Sequence, residues 1–184
     1  MYAQVVRGSF AALLLAVSFG AADQFLGSRA FVLGYWATEA SLLSAPWLLV
    51  AFFAGWSQPT ARRAVTLGLI CTFAALCGYW AMTLSPIEGA HVSARGIRSL
   101  LISQSLLVAG GLVTGPLFGR LGNRWRKRRD WLSASIVALA VCLEPLAHAV
   151  DGSAVRVRGV WAGEVAAGVL MLGYVALRTR RIST

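Results

Sequence analysis

Residues 64–84 read AVTLGLICTFAALCGYWAMTL, with Arg62 and Arg63 just before the stretch and Pro86 two positions after it. No residue in it carries a charge, and its length matches the ~20 residues that an α-helix needs to cross a bilayer core. Strand-type alternation of apolar and polar residues is absent, so an outer-membrane barrel is excluded and a helix is the spanning structure it suits. Five further stretches share this character, at 8–27, 41–58, 99–119, 132–150 and 159–177. The breaks between them hold Pro59, Pro86, the run RLGNRWRKRRD at 120–130, and Asp151 with Gly152.

Composition agrees. Of 184 residues, 58% are hydrophobic and 13% charged, and the mean hydropathy is +0.68. A soluble domain of this size has too much surface for its volume to hide that apolar content. The expected fold is therefore all-α, a single integral membrane domain over residues 1–184 with six transmembrane helices.

The net charge of +10 would fit nucleic acid if it formed one patch. It is dispersed instead into the short breaks, where Lys and Arg set membrane orientation. With the N-terminus inside, twelve basic residues face the cytoplasm: Arg7, Arg62, Arg63, Arg120, Arg124, Arg126, Lys127, Arg128, Arg129, Arg178, Arg180 and Arg181. Five face outward: Arg29, Arg95, Arg98, Arg156 and Arg158. Both termini are expected inside, in a plasma membrane. The run from Arg120 to Arg129 is expected as an inner loop that attracts anionic lipid headgroups.

The first span has a second reading. Arg7, an apolar stretch and Gly20-Ala21-Ala22 resemble a signal peptide, but the apolar run continues through Phe25 and Leu26. Cleavage would leave five helices in the same orientation. Tyr35, Trp36, Trp47, Tyr79, Trp80 and Trp161 fall near outer span ends and Trp125 and Trp131 flank the inner basic run, as an aromatic belt requires. Cys71, Cys77 and Cys142 lie in apolar runs at spacings that match no metal or redox motif, and are expected as packing residues.

Two small-residue stripes mark helix faces. Ala12, Ala16 and Gly20 recur every four residues in the first span; Gly111, Gly115 and Gly119 do so in the fourth. In lipid, close backbone approach through small residues is a main source of helix packing. Each stripe is open to another helix of the chain, to a second copy or to a membrane partner.

The polar residues of the spans map onto these faces. Asp23 follows Gly20 by three, Gln104 precedes Gly111 by seven, Glu164 precedes Gly168 by four, and Glu144 and His148 are one turn apart in VCLEPLAHAV, residues 141–150. All five fall at one depth, toward the outer side. An ionised carboxylate in hydrocarbon costs ~2.5–3.5 kcal/mol on insertion scales, so these acids are expected to pair, take up protons or line a wet cavity. Pro145 withholds the hydrogen bond that the Val141 carbonyl would receive and is expected to bend its helix. His91, between Glu88 and Arg95, is expected to be exposed.

The expected ligand-binding set is Asp23, Gln104, Glu144, His148 and Glu164. No catalytic, metal or cofactor site is expected: GxSxG, HExxH, P-loop and dinucleotide patterns are missing, and Glu144, His148 and Asp23 share no recognised ligand spacing.

Two groups of residues carry a resemblance. One is Ala45-Pro46-Trp47 with Ala51-Phe52, Ala54-Gly55 and Gly78-Tyr79. The other is Gly115-Pro116-Leu117-Phe118-Gly119 with Gly122, Trp125 and Leu143-Glu144. Over most of its length the chain resembles a family of small multi-pass membrane proteins of high-GC Gram-positive bacteria, defined as a domain of unknown function. That resemblance implies a bacterial plasma membrane and no particular activity. A looser similarity is to the substrate-binding membrane components of energy-coupling-factor transporters. These have six helices, bind substrate toward the outer side and dock through small residues of the first helix, a role Ala12, Ala16 and Gly20 would suit. The expected function is binding or transport of a small polar or cationic solute. The alternative is a structural subunit whose polar residues hold helices together.

Overall fold

The computed structural model describes residues 2–90, 93–129, 131–150 and 157–180. For residues 2–7, 147–150, 175 and 178–180 it describes the backbone alone. His91, Asp151, Gly152, Arg156 and Arg181 thus lie outside the described residues, and so does the side chain of His148.

Hydropathy selects helix throughout, and no strand occurs among the described residues. In chain order the helices are α1 (Tyr2–Ser28), α2 (Ala30–Leu33), α3 (Tyr35–Ser41), α4 (Ala45–Trp56), α5 (Ala61–Thr83), α6 (Ala94–Ser103), α7 (Ser105–Arg128), α8 (Trp131–Val150) and α9 (Arg158–Arg180). A 3₁₀ turn at Pro86–Glu88 follows α5. Within α1, α5 and α7, the segments Gly8–Ser28, Ala61–Thr83 and Ser105–Arg128 are long and apolar enough to cross a membrane. Taken together, α3 and α4 make a fourth candidate, bent by 44°. In α8 the shorter segment Trp131–Leu146 is apolar.

Three expectations change here. The stretch 41–58 is not one helix: α3 stops at Ser41 and α4 starts at Ala45. Pro46, in the first turn of α4, has no N–H to continue a ladder from upstream, but it suits a helix start. The stretch 99–119 is likewise divided, because Gln104 separates α6 from α7. The third change concerns the inner basic run. It is no loop: α7 continues through it to Arg128, and Arg129 closes the helix in a left-handed conformation (φ 49°). Basic side chains at a helix C-terminus complement its dipole. Pro145 is accommodated within α8, which runs on to Val150.

The small-residue stripes are used within the chain. A Cβ on Gly20 would strike the Ala75 carbonyl of α5, and one on Gly78 would strike Val17 of α1. Gly115 and Gly119 lie against Gly68 and Ala64, while Gly111 meets Thr72, so the whole fourth-span stripe faces α5. On its other side α7 meets α4, where Gly55 touches Gly119 and Gly122 touches Phe52. Ala16, Ala54, Leu67, Cys71 and Ala75 form the core of this assembly, with Ala12 packed against it.

Side-chain size is distributed inside out relative to a soluble protein. Buried positions are dominated by Ala and Gly, whereas Leu15, Val113, Leu146 and Leu170 lie on the perimeter, Leu15 at 70% exposure and Leu170 at 73%. Water would penalise such a surface, and hydrocarbon does not. The protein is all-helical, with a perimeter suited to a membrane.

Polar contacts tie the two ends. At one end Asn123 Nδ2 donates to the Gln58 carbonyl (2.6 Å) and Arg126 donates to the carbonyls of Trp56 and Ser57, closing the C-terminus of α4. Arg62, Arg63, Arg120 and Arg124 are exposed at that end. At the opposite end Ser28 donates to Glu88 (2.8 Å), and Arg29 reaches Glu88 and the Ile87 carbonyl.

Candidate functional site

The interruption between α3 and α4 lies next to two buried acids, Glu144 and Asp23. Starting a helix at Ala45 leaves backbone N–H groups without intrahelical partners. The Ser44 side chain does not cap them. Glu144, projecting from α8, does: Oε1 accepts from Ser44 N and Oε2 from Ala45 N, the latter at 2.9 Å. One carboxylate thus satisfies two donors at the positive end of a half-helix, a favourable placement for negative charge in a water-poor interior.

Asp23 lies on the other side of the same interruption. It lines a cavity of about 370 Å³ whose walls come from four directions: Asp23 of α1, residues 41–44 of the break with Trp47 and Leu48, Thr72, Leu76 and Tyr79 of α5, and Leu106, Leu107, Gly110, Gly111 and Thr114 of α7. Trp47 and Tyr79 both lie within interaction range of the Asp23 carboxyl. Trp47 is held edge-on between Phe19 (5.3 Å) and Tyr79 (6.1 Å). These aromatic pairs fix the indole beside Asp23. A buried carboxylate beside two electron-rich rings, in a mostly apolar pocket of this size, has the chemistry to attract a cationic group.

Of the five residues expected to share one pocket, the four with described side chains are distributed. Asp23 lines the cavity; Glu144 and Glu164 are not among its walls. Gln104 occupies the joint between α6 and α7, and its buried side-chain oxygen has no hydrogen-bond partner among the described residues. Glu164 projects from α9 toward Glu144. The depth estimate held these residues together, but depth says nothing of position around the bundle.

One acid was missed. Glu39 of α3 is buried and its Oε2 accepts from the Trp161 indole of α9 at 2.7 Å. It stood just before the stretch expected to span, so it read as part of an outer loop. No spacing signal marked it, because α3 ends at Ser41 and the apolar run that follows does not continue its helix face. The functional elements sequence reasoning also missed are Trp47 and Tyr79, read there as interfacial anchors.

Fold and site together describe a helical membrane-type protein with a carboxylate cavity walled by an interrupted helix. Searches against family models, curated proteins and solved structures find no match for this chain. Among the described residues no cluster of His, Cys, Asp and Glu is suited to hold a metal ion.

Proposed function

We propose that the protein is a plasma-membrane protein that binds, and by extension transports, a small cationic or polar solute. The observation that carries this reading is the 370 Å³ cavity in which Asp23 stands beside Trp47 and Tyr79. Its six crossings would be α1, α3–α4, α5, α7, α8 and α9, with both termini inside. The exposed arginines at the α5 start and α7 end favour that orientation. The cavity then lies in the outer half. Interrupted helices that place polar groups beside a cavity are a recurrent solution for solute sites in membranes, which supports the reading by analogy.

In this reading the solute's cation neutralises Asp23, the rings of Trp47 and Tyr79 contribute cation–π attraction, and the break at 41–44 supplies polar groups. The resemblance to small membrane proteins of high-GC Gram-positive bacteria is consistent with the location proposed. The second reading, a structural subunit of a membrane complex, is favoured by Glu144, whose hydrogen bonds to α4 are those of a helix clasp.

Thermal unfolding of the purified protein against a panel of small amines, quaternary ammonium compounds, amino acids and sugars separates the two. A solute that raises the unfolding temperature of the wild type and has lost this effect in Asp23→Asn supports binding. The same panel leaving the wild type unmoved, or moving both proteins equally, would favour the structural subunit.

A further inference from the structure

Glu164 is 6% exposed, and neither of its carboxyl oxygens has a hydrogen-bond partner among the described residues. Its neighbour is another carboxyl, that of Glu144, 8% exposed. Two ionised carboxylates carry acceptors alone, so no hydrogen bond can join them. The contact becomes a hydrogen bond when one of the two holds a proton, and the geometry decides which. Glu144 already accepts from the Ser44 and Ala45 N–H groups at the start of α4, so both of its oxygens serve as acceptors. Glu164 has no such donors.

We propose that Glu164 carries a proton, donates it in a hydrogen bond to Glu144, and so acts as a proton-sensitive latch on the α3–α4 break. Loss of that proton to the outer water leaves two negative charges facing each other in a poorly solvated site. Their repulsion draws Glu144 off the α4 N-terminus. Residues 41–44, which that carboxylate steadies, are also a wall of the Asp23 cavity. Protonation of Glu164 therefore sets how firmly the cavity wall is held. The latch stands on the geometry of the pair alone; its role as control of solute binding rests on the reading of the Asp23 cavity given above.

The groups around the pair are consistent with this assignment. From α3, Glu39 faces α9 but is engaged by Trp161 Nε1. From α8 the further titratable neighbour is Cys142, whose Sγ lies against Gly168 and points to the Val165 carbonyl. From α4 there is none, since no residue of Ala45–Trp56 titrates. Arg158, at the start of α9, is exposed. Among the described residues no basic side chain forms an ion pair with Glu164. His148, one turn beyond Glu144 on α8, is tested directly below.

Infrared spectroscopy of the protein in lipid nanodiscs at neutral pH reads the proton itself. A protonated-carboxyl stretch is expected in the wild type and in His148→Gln, and its loss is expected in Glu164→Gln. A band unchanged by Glu164→Gln, or one that disappears in His148→Gln, would overturn the assignment. So would the absence of the band together with a sodium-dependent rise in stability, which would make the pair a metal-cation site. The latch is read by site-resolved thiol labelling of Leu42→Cys, a position on the break. Labelling is expected to rise with pH several-fold more in the wild-type background than in Glu164→Gln, whose amide still donates to Glu144 but cannot lose its proton. Identical pH profiles would overturn the latch, and so would a Glu164→Gln chain that fails to fold. None of these readouts involves a solute, so the latch and the solute site can fail separately.

Discussion

Asp23 and Glu144 are buried to nearly the same degree, 7% and 8% exposed, on opposite sides of one interrupted helix. Their surroundings differ in kind. Glu144 has its oxygens filled by backbone N–H groups that exist because α4 begins there. Asp23 has the Trp47 indole beside it and otherwise faces open volume and aromatic rings. A buried acid whose donors all come from the protein closes a structure; one whose donors are incomplete beside a cavity is left to be completed by something else. The same residue type at the same depth is thus directed toward two roles by its neighbours alone.

Both regions depend on the close approach of α5 and α7, so the largest effect should come from spoiling it. A side chain at Gly119 would enter the Ala64 carbonyl of α5, and backbone cannot yield as a flexible side chain does. Gly119→Val is expected to abolish the folded monomer, read as loss of the monodisperse peak in fluorescence-detected size-exclusion chromatography. A normally folded variant would show that the two acids do not share the scaffold described.

The comparison itself is tested by paired substitutions. Glu144→Ala strips the α4 N-terminus of its acceptor and leaves buried N–H groups unsatisfied, a loss of about 1–3 kcal/mol. Thermal unfolding should reveal it as a marked drop in midpoint. Asp23→Asn keeps an acceptor for the Trp47 indole and should cost less than about 1 kcal/mol on the same basis. Equal losses from the two, or the reverse order, would break the distinction between a closing acid and a receiving one.

Much of the fold could be read from hydropathy, because an apolar stretch such as 64–84 has no other stable conformation in lipid. The small-residue stripes could also be read, since four-residue spacing fixes a helix face before any partner is known. The break at 42–44 was harder to see. Pro46 signals a helix start, but that signal lay inside a stretch whose apolar character alone suggested one continuous span. Glu144 shows a deeper limit. Its partners are main-chain N–H groups of Ser44 and Ala45, which every residue but proline possesses, so no side-chain pattern identifies them. Asp23 was correctly placed on an inward face, but its cavity neighbours Trp47 and Tyr79 looked like headgroup anchors. Helical spacing reports depth and face; which helices adjoin is decided by three-dimensional packing.

The smallest expected effect probes the boundary between the two regions, at Trp47. This residue belongs to α4, whose start Glu144 caps, and its indole also lies beside Asp23. Trp47→Phe keeps an aromatic ring between Phe19 and Tyr79 but removes the N–H. Losing the N–H beside Asp23 should cost at most about 0.5–1.5 kcal/mol, part of it recovered if water or solute takes the vacated place. A solute that binds through Asp23 would then find the carboxylate less engaged and one face of its cage smaller, two effects of opposite sign. The expected outcome is a change in solute affinity of no more than about tenfold, the equivalent of ~1.4 kcal/mol, with Glu144's hold on α4 intact. That hold is read from the pH dependence of Leu42→Cys labelling, which should match the wild-type background. A labelling profile that shifts with Trp47→Phe would mean that Asp23 and Glu144 act as one polar network across the break, and the contrast between them would have to be redrawn.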